Sequence, residues 1–200
     1  MPPGTRVVVA TGNPHKVEEV REALAFTGWE FVAAADLGGW EEPEETGATF
    51  EENARIKARA ARQRFGLPAL ADDSGLAVDA LDGEPGVRSR YFAGPHATDA
   101  ENNARLLAAL GNTPRMRREA RFTSVIVLLR DDGTEVVAEG VCEGRIGGET
   151  RGEGGFGYDP LFWPDATPGR TMAELSLAEK TAISHRGAAL HALHDSLERE

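Results

Sequence analysis

What most restricts the fold of this chain is the order of its hydrophobic periods. Arg6 to Thr11 (RVVVAT) is a short, β-branched apolar run, which predicts a buried strand. Val17, Val20 and Leu24 then recur at helical spacing, so a helix follows within a few residues. Trp29 to Ala33 predicts a second strand, and residues 36–48, rich in Gly, Glu and Pro, a long loop. Thr49-Phe50-Glu51-Glu52 has the form of a capping box. The helix it opens carries Phe50, Ala54, Ala58, Ala61 and Phe65 on one face and ends near Gly66 and Pro68. Strands alternating with helices predict an α/β domain.

The second half adds a different pattern. Ala69 to Ala71 predicts a short strand running into Asp72-Asp73-Ser74-Gly75, and residues 79–97 a loop. Thr98-Asp99-Ala100-Glu101 is a second capping box, opening a helix through Leu110. Arg121–Leu129 and Glu135–Ile146 are strand-like, with Asp131-Asp132-Gly133 between them as a hairpin turn. A glycine-rich loop fills 147–157. Ser176-Leu177-Ala178-Glu179 is a third capping box, and Ser184 can cap a last helix carrying Ala188, Leu190, Leu193 and Leu197. The antiparallel pair makes the sheet mixed. No repeat or linker divides residues 1–200, so a single domain is expected.

Composition excludes several classes. The longest apolar run, Val125 to Leu129, is far too short to span a bilayer. The N-terminus lacks the basic and apolar regions of an export signal. Cys142 is the only cysteine, so no intrachain disulfide and no CxxC zinc site can form, and a reducing cytoplasm is the natural compartment. A net charge of -11 disfavours nucleic-acid binding. Arg115, Arg117, Arg118 and Arg121 cluster, but Glu119 interrupts them, and a solvated loop and strand entry is expected there.

Six segments carry possible chemistry. Thr11-Gly12-Asn13-Pro14-His15-Lys16 joins strand to helix, where free N–H groups and the helix dipole suit an anion, with Lys16 adding charge; a plain surface turn is equally compatible. Asn53 and Lys57 share a helix face; a solvated face is the simpler reading, as for Arg55, Arg59 and Arg62. Asp72 and Asp73 at the end of a strand suit a hard cation such as magnesium. If the strand continues, alternation puts them on opposite sides. Glu41 to Glu45 is an acidic loop, solvated by default. Gly152 to Asp159 contains a literal GxGxxG, but Asp159-Pro160 allows no helix after it, so it is not a dinucleotide motif. Phe156 and Tyr158 on this loop stack on a base or anchor the loop. Lys180, and Ser184-His185-Arg186 at a helix start, offer donors for a carbonyl or phosphate, or are merely solvated.

In order, these segments resemble the inosine triphosphate pyrophosphatase family. The matching stretches are TGNPHK at 11–16, EETGATFEENARIKA at 44–58, ADDSGLAVDAL at 71–81 and PGVRS at 85–89. They continue as ARFTSVIVL at 120–128, GFGYDPLF at 155–162 and MAELSLAEKTAISHR at 172–186. Together they cover nearly the whole chain. The resemblance implies a long mixed sheet flanked by helices, two lobes with a central cleft, and a homodimer. It implies hydrolysis of non-standard purine triphosphates (ITP, dITP, XTP) to monophosphate and pyrophosphate, with Mg2+. Thr11, Gly12, Asn13, Pro14, His15 and Lys16 would bind phosphate, assisted by Asn53 and Lys57. Asp73 would be the catalytic acid residue and metal ligand, with Glu44 or Glu45 as second metal carboxylate. Ser74 would touch substrate, Phe156, Gly157, Tyr158, Asp159 and Lys180 would line the nucleoside site, and His185 and Arg186 would read the base. His15, Asp82 and Arg88 depart from the commoner residues of the family, Asp82 standing where glycine is common. The competing readings are a Maf-type pyrophosphatase of different base preference, a phosphohydrolase releasing orthophosphate, and a non-catalytic nucleotide-binding module.

Overall fold

A computed structural model describes residues 1–199, except for the side chains of Pro14 and His15. Its elements are β1 (Arg6–Val9), α1 (Pro14–Ala23), β2 (Glu30–Ala33), α2 (Phe50–Phe65), β3 (Ala69–Val78) and α3 (Asp99–Leu110). They continue with β4 (Glu119–Leu129), β5 (Glu135–Ile146), β6 (Phe162–Pro164), α4 (Leu177–Ile183) and α5 (His185–Glu198). The strands form one sheet in the order β2-β1-β3-β4-β5-β6. β1 runs parallel to both β2 and β3, while β6 is antiparallel to β5. The five-residue connection from β4 to β5 fits only an antiparallel pair. The mixed α/β sheet expected from the sequence is therefore present.

The described residues group into two compact units. Unit 1 holds Met1–Asp73, Ser124–Gly140 and the stretch from Gly187; unit 2 holds Ser74–Thr123 and Val141–Arg186. The divisions fall inside β3, β4, β5 and α5.

In unit 1, alternation along β1 sends its side chains to two cores. Val7 and Val9 pack with Val17 and Val20 of α1, with Leu24 just beyond it, and with Ala189, Leu190 and Leu193 of α5. Val8 and Ala10 pack with Ala54, Ala58 and Ala61 of α2. The buried residues of α5 are Ala189, Leu190 and Leu193, while Ala188 is exposed. The three alanines present no side chain beyond Cβ, so the backbone of α2 lies close to the sheet and Asn53 and Lys57 are carried into its interior. Both are buried. Unit 2 has its own core, in which Leu76, Leu106, Leu110, Phe122, Ile146, Leu161 and Phe162 are buried.

The three capping segments behave unequally. Thr98 and Ser176 form complete capping boxes with Glu101 and Glu179. Thr49 accepts the Glu52 N–H, but the Glu52 carboxylate reaches the N–H of Ala48, one residue before the cap. Asp82 holds a left-handed backbone with φ 52°, which Asp tolerates better than most residues.

Arg59, Arg115 and Arg117 are exposed as expected, but Arg55, Arg62 and Arg118 are not solvated residues. Arg55 bonds Glu135 at 2.8 Å and Arg62 donates to the Asp131 carbonyl at 2.6 Å, tying α2 to the β4–β5 hairpin; Arg59, more exposed, also reaches Glu135. Arg118 is only 8% exposed. Its guanidinium donates to the carbonyls of Gly111, Thr113 and Gly147. A planar fork of five donors suits three diverging carbonyls as no other side chain does. We predict that Arg118→Ala lowers unfolding stability by about 2 kcal/mol, because the buried Gly147 carbonyl and two partly buried ones lose a donor. Arg118→Lys should recover only part of it. Urea denaturation followed by circular dichroism checks this, and an unchanged midpoint for Arg118→Ala contradicts it.

Candidate active site

The ADDSG segment is strand, not turn. β3 continues from Ala69 through Asp72, Asp73 and Ser74 to Val78. The expectation of a strand ending at Ala71 is corrected, and the reason is local. Each carboxylate meets an ammonium group on its own side of the sheet, so extended backbone is retained where free aspartates would favour a solvated turn. The Lys16 ammonium, on α1, binds both Asp72 oxygens at 2.8 and 3.0 Å. On the other side, Lys57 of α2 donates to Asp73 Oδ1 at 3.0 Å and Asn53 Nδ2 to Asp73 Oδ2 at 3.2 Å. Alternation thus separates the two aspartates as strand geometry requires.

The acidic loop contributes one residue to this group. Glu45 accepts from Lys57 Nζ at 2.8 Å. Glu44 is exposed, and among the described contacts none joins it to the cluster. Asn53 is 1% exposed, and its Oδ1 accepts the Gly47 N–H at 2.8 Å, so its amide orientation is set and its Nδ2 faces Asp73. Three carboxylates here share two ammonium groups, which leaves negative charge in excess.

Burial is the largest influence on Asp73 and raises its pKa; Lys57 pulls it down, Glu45 pushes it up, and the net result is a carboxyl above the ordinary range. For Lys57, burial opposes the charge, but Asp73, Asp72 and Glu45 outweigh it and hold the ammonium above the usual lysine value. A buried carboxylate of raised basicity beside fixed cations is a disposition suited to proton transfer.

The donor set also fits a hard divalent cation. Magnesium is held by one or two carboxylates and completes its shell with water and substrate oxygens. Asp73 and Glu45 are such a pair, already converging on one cation, the Lys57 ammonium. Among the described residues the group of three possible ligands whose atoms converge lies elsewhere, at His194, Asp195 and Glu198.

The Thr11–Lys16 turn lies in the same unit. Thr11 is buried, and its hydroxyl accepts the Asn13 N–H at 3.1 Å. Gly12 and Asn13 are exposed. A Cβ at Gly12 would meet no atom within 4 Å, so nothing in the protein itself demands glycine there. The Pro14 and His15 side chains lie outside the described residues.

The remaining predicted residues belong to unit 2. Phe156 and Tyr158, two residues apart, have opposite fates. Tyr158 is 4% exposed and donates its phenol to the Ser89 carbonyl at 2.8 Å; Phe156 is 60% exposed. Tyr158 anchors the loop and Phe156 is displayed by it. Asp159 is buried, accepts the Phe156 N–H at 2.9 Å and pairs with Lys180 at 2.5 Å. Lys180 also stands over the Phe156 ring, 4.5 Å from its centroid. A Cβ at Gly155 would collide with the Asp159 carboxylate, and Gly155 has φ 76°, so glycine is required twice over. His185 stacks on Phe122 at 5.0 Å between ring centroids with 16° between planes. Arg186 and Ser74 are half-buried. As expected, no helix follows the GxGxxG stretch; α4 begins only at Leu177. Cys142 is a core residue whose thiol is pushed up to about 11, chiefly by burial, so it is no nucleophile.

Sequence reasoning missed two pairings and three residues. The Lys16–Asp72 and Lys57–Glu45 pairs join residues distant along the chain, and no spacing rule announces them. Phe122 is one apolar residue in an apolar strand. Asp99 and Asn103 of α3 read as helix-start and helix-surface residues, yet both bond Gly157.

Comparison with known proteins follows the same lines. A model of the Ham1 family matches residues 7–196. The chain is 50% identical over 194 residues to a dITP/XTP pyrophosphatase of Haemophilus influenzae, covering 96% of this chain and 98% of the relative. It is 52% identical over 191 residues to a dITP/XTP pyrophosphatase of Thermus thermophilus, covering 95% and 90%. Among solved structures, a HAM1 protein from Coxiella burnetii aligns with TM-score 0.89 and 43% identity, covering 98% of this chain and all of that one. A nucleoside-triphosphatase / dITP/XTP pyrophosphatase from Mycobacterium abscessus aligns with TM-score 0.81 and 49% identity, covering 94% and 98%. These matches run along nearly the full length of the relatives, and the chain belongs to the Ham1 family.

Proposed function

We propose that this protein is a nucleoside-triphosphate pyrophosphatase that hydrolyses non-standard purine nucleotides, ITP, dITP and XTP, to the monophosphate and pyrophosphate. The relatives named dITP/XTP pyrophosphatase at about half identity over full length support the reaction class. The observation that carries the reading is the pairing of Asp73 with Lys57, Asn53 and Glu45 on one side of β3, and of Asp72 with Lys16 on the other.

In this reading Asp73 accepts the proton of the attacking water, and the raised basicity of its buried carboxylate favours that role. Lys16, Lys57 and the N–H groups of the Thr11–Lys16 turn offset the charge of the phosphates. Asp73, with Glu45 or Glu44, would hold Mg2+, which when bound neutralises charge on phosphate oxygens. The exposed Phe156 ring offers a surface for a base, and His185 and Arg186 read its edge. Arg186 has only donors. A hypoxanthine or xanthine C6 oxygen accepts from it, whereas an adenine amino group opposes donor to donor. Leaving such groups unpaired discriminates by about 10⁴-fold. We treat the chain as one domain, since three strands run through both units, and as a cytoplasmic homodimer. Among the described residues no helix is long and apolar enough to cross a membrane.

Incubation with a panel of nucleoside triphosphates and Mg2+, with and without EDTA, tests the proposal by product analysis. Pyrophosphate with IMP or XMP, abolished by EDTA, is the expected result, with ATP and GTP largely spared. Orthophosphate, activity confined to pyrimidines, or nucleotide binding without turnover would move the protein to one of the competing readings.

Two substitutions assign roles. Asp73→Asn should retain nucleotide binding and lose at least about 100-fold in kcat, the usual worth of a positioned base; near-normal turnover would remove Asp73 from the chemistry. Arg186→Ala should cut the ITP-over-ATP ratio of kcat/KM by about tenfold or more. A fully retained ratio would place base reading elsewhere.

A further inference from the structure

The irregular stretch around Phe156 in unit 2 is tethered both from within its own loop and from α3. The backbone before Phe156 is held by Asp159, which accepts the Phe156 N–H. The backbone after it is held from α3. Asp99 Oδ2 accepts the Gly157 N–H at 2.6 Å, and Asn103 Nδ2 donates to the Gly157 carbonyl at 2.8 Å. Asn103 uses its other amide hydrogen on the Asp99 carbonyl, also at 2.8 Å. Both polar groups of one glycine are therefore gripped by two side chains a helical turn apart. Gly157 itself has φ 61°, which glycine adopts without strain.

The grip is built on a rigid support. The Thr98–Glu101 capping box fixes the first turn of α3, where Asp99 stands, and its carboxylate is also favoured there by the helix dipole. Asn103 is buried. One residue beyond Gly157, the Tyr158 phenol is bonded to the Ser89 carbonyl. With its backbone held on both sides, Phe156 nevertheless remains 60% exposed. The ring is thus displayed on a backbone hydrogen-bonded on both sides, with the Lys180 ammonium over it. This is the arrangement expected of a preorganised contact surface, where ordering is complete before the ligand arrives.

We propose that Asp99 and Asn103 are positioning residues: the start of α3 clamps Gly157 and thereby presents the Phe156 ring, beside Lys180, as a preformed platform for the purine base. The clamp rests on the distances alone, and its link to substrate rests on the function proposed above. It predicts a specific kinetic signature. Loosening the clamp leaves the reacting phosphates and their residues untouched, so affinity falls while the chemical step does not.

The test uses the full-length protein with Asp99→Ala, the conservative Asp99→Asn, which keeps an acceptor oxygen, and Asn103→Ala as an independent second arm. Amide hydrogen exchange, read on the nucleotide-free protein, should be faster at Gly157 in Asp99→Ala and Asn103→Ala, with the interior amides of α3 unchanged. Asp99→Asn should restore much of the protection. With ITP, Asp99→Ala should raise KM by about tenfold, the worth of one charged hydrogen bond, with kcat within about twofold of wild type and Asp99→Asn close to wild type. Unchanged exchange at Gly157 in both alanine variants would overturn the clamp. Faster exchange with an unaltered KM would overturn its link to the base. So would a fall in kcat and thermal stability that Asp99→Asn fails to rescue. If wild type hydrolyses no purine triphosphate, the function fails while the exchange result still decides the clamp.

Discussion

Two carboxylates on consecutive residues of one interior strand are the constraint around which this molecule is arranged. Burying an unpaired carboxylate costs several kcal/mol, and removing one partner from a buried pair typically costs about 3–5 kcal/mol. Alternation forbids Asp72 and Asp73 from sharing a partner on one face. Each must therefore be answered from its own side, and the sheet must have a helix on each face to do so. α1 supplies Lys16 and α2 supplies Lys57. The parallel β1–β3 pair, flanked by those two helices, is the βα architecture that delivers a lysine to both faces of one strand.

The EETGATFEENARIKA segment shows how finely this delivery is set. Asn53 accepts from Gly47, Glu52 from Ala48, and Thr49 from Glu52, while Lys57 reaches back to Glu45. Successive residues of the loop are thus tied to α2 in sequence order, and Glu45 is held against the cluster. Gly47 cannot be larger: a Cβ there would lie 2.6 Å from Asn53 Oδ1 and 2.7 Å from Glu52 Cβ. What looks in the sequence like an acidic loop beside an ordinary helix is a clasp that orders one carboxylate, one amide and one ammonium group together.

Features set by neighbours in the chain were legible from the sequence, and features set by distant ones were not. The complete capping boxes at Thr98 and Ser176, the left-handed cap at Gly66 and the hairpin at Asp131–Gly133 are local, and all appear where the residues placed them. The length of β3 was not legible, because aspartates carry a turn preference that only the lysines of two helices override. β6, three residues ending in proline, is too short to show a period. The burial of Arg118 was hidden among exposed arginines, since only the folded chain brings three carbonyls around it. In the site, the family motifs named Asp73, Lys57 and Asn53, which do meet, but gave no sign that Lys16 binds Asp72 or that Gly157 is held from α3.

The same ion pairs that stabilise the fold shape how the cluster responds to ligands. Lys16 is committed to Asp72, and Lys57 to Asp73 and Glu45. An anion that draws an ammonium group towards itself leaves a buried carboxylate without its partner, and the carboxylate then needs another cation. A divalent cation that takes the carboxylates leaves an ammonium group in need of an anion. Each kind of ligand thus relieves the cost created by the other, and linkage makes that coupling reciprocal. With three carboxylates to two lysines, the cluster favours taking a cation and an anion together.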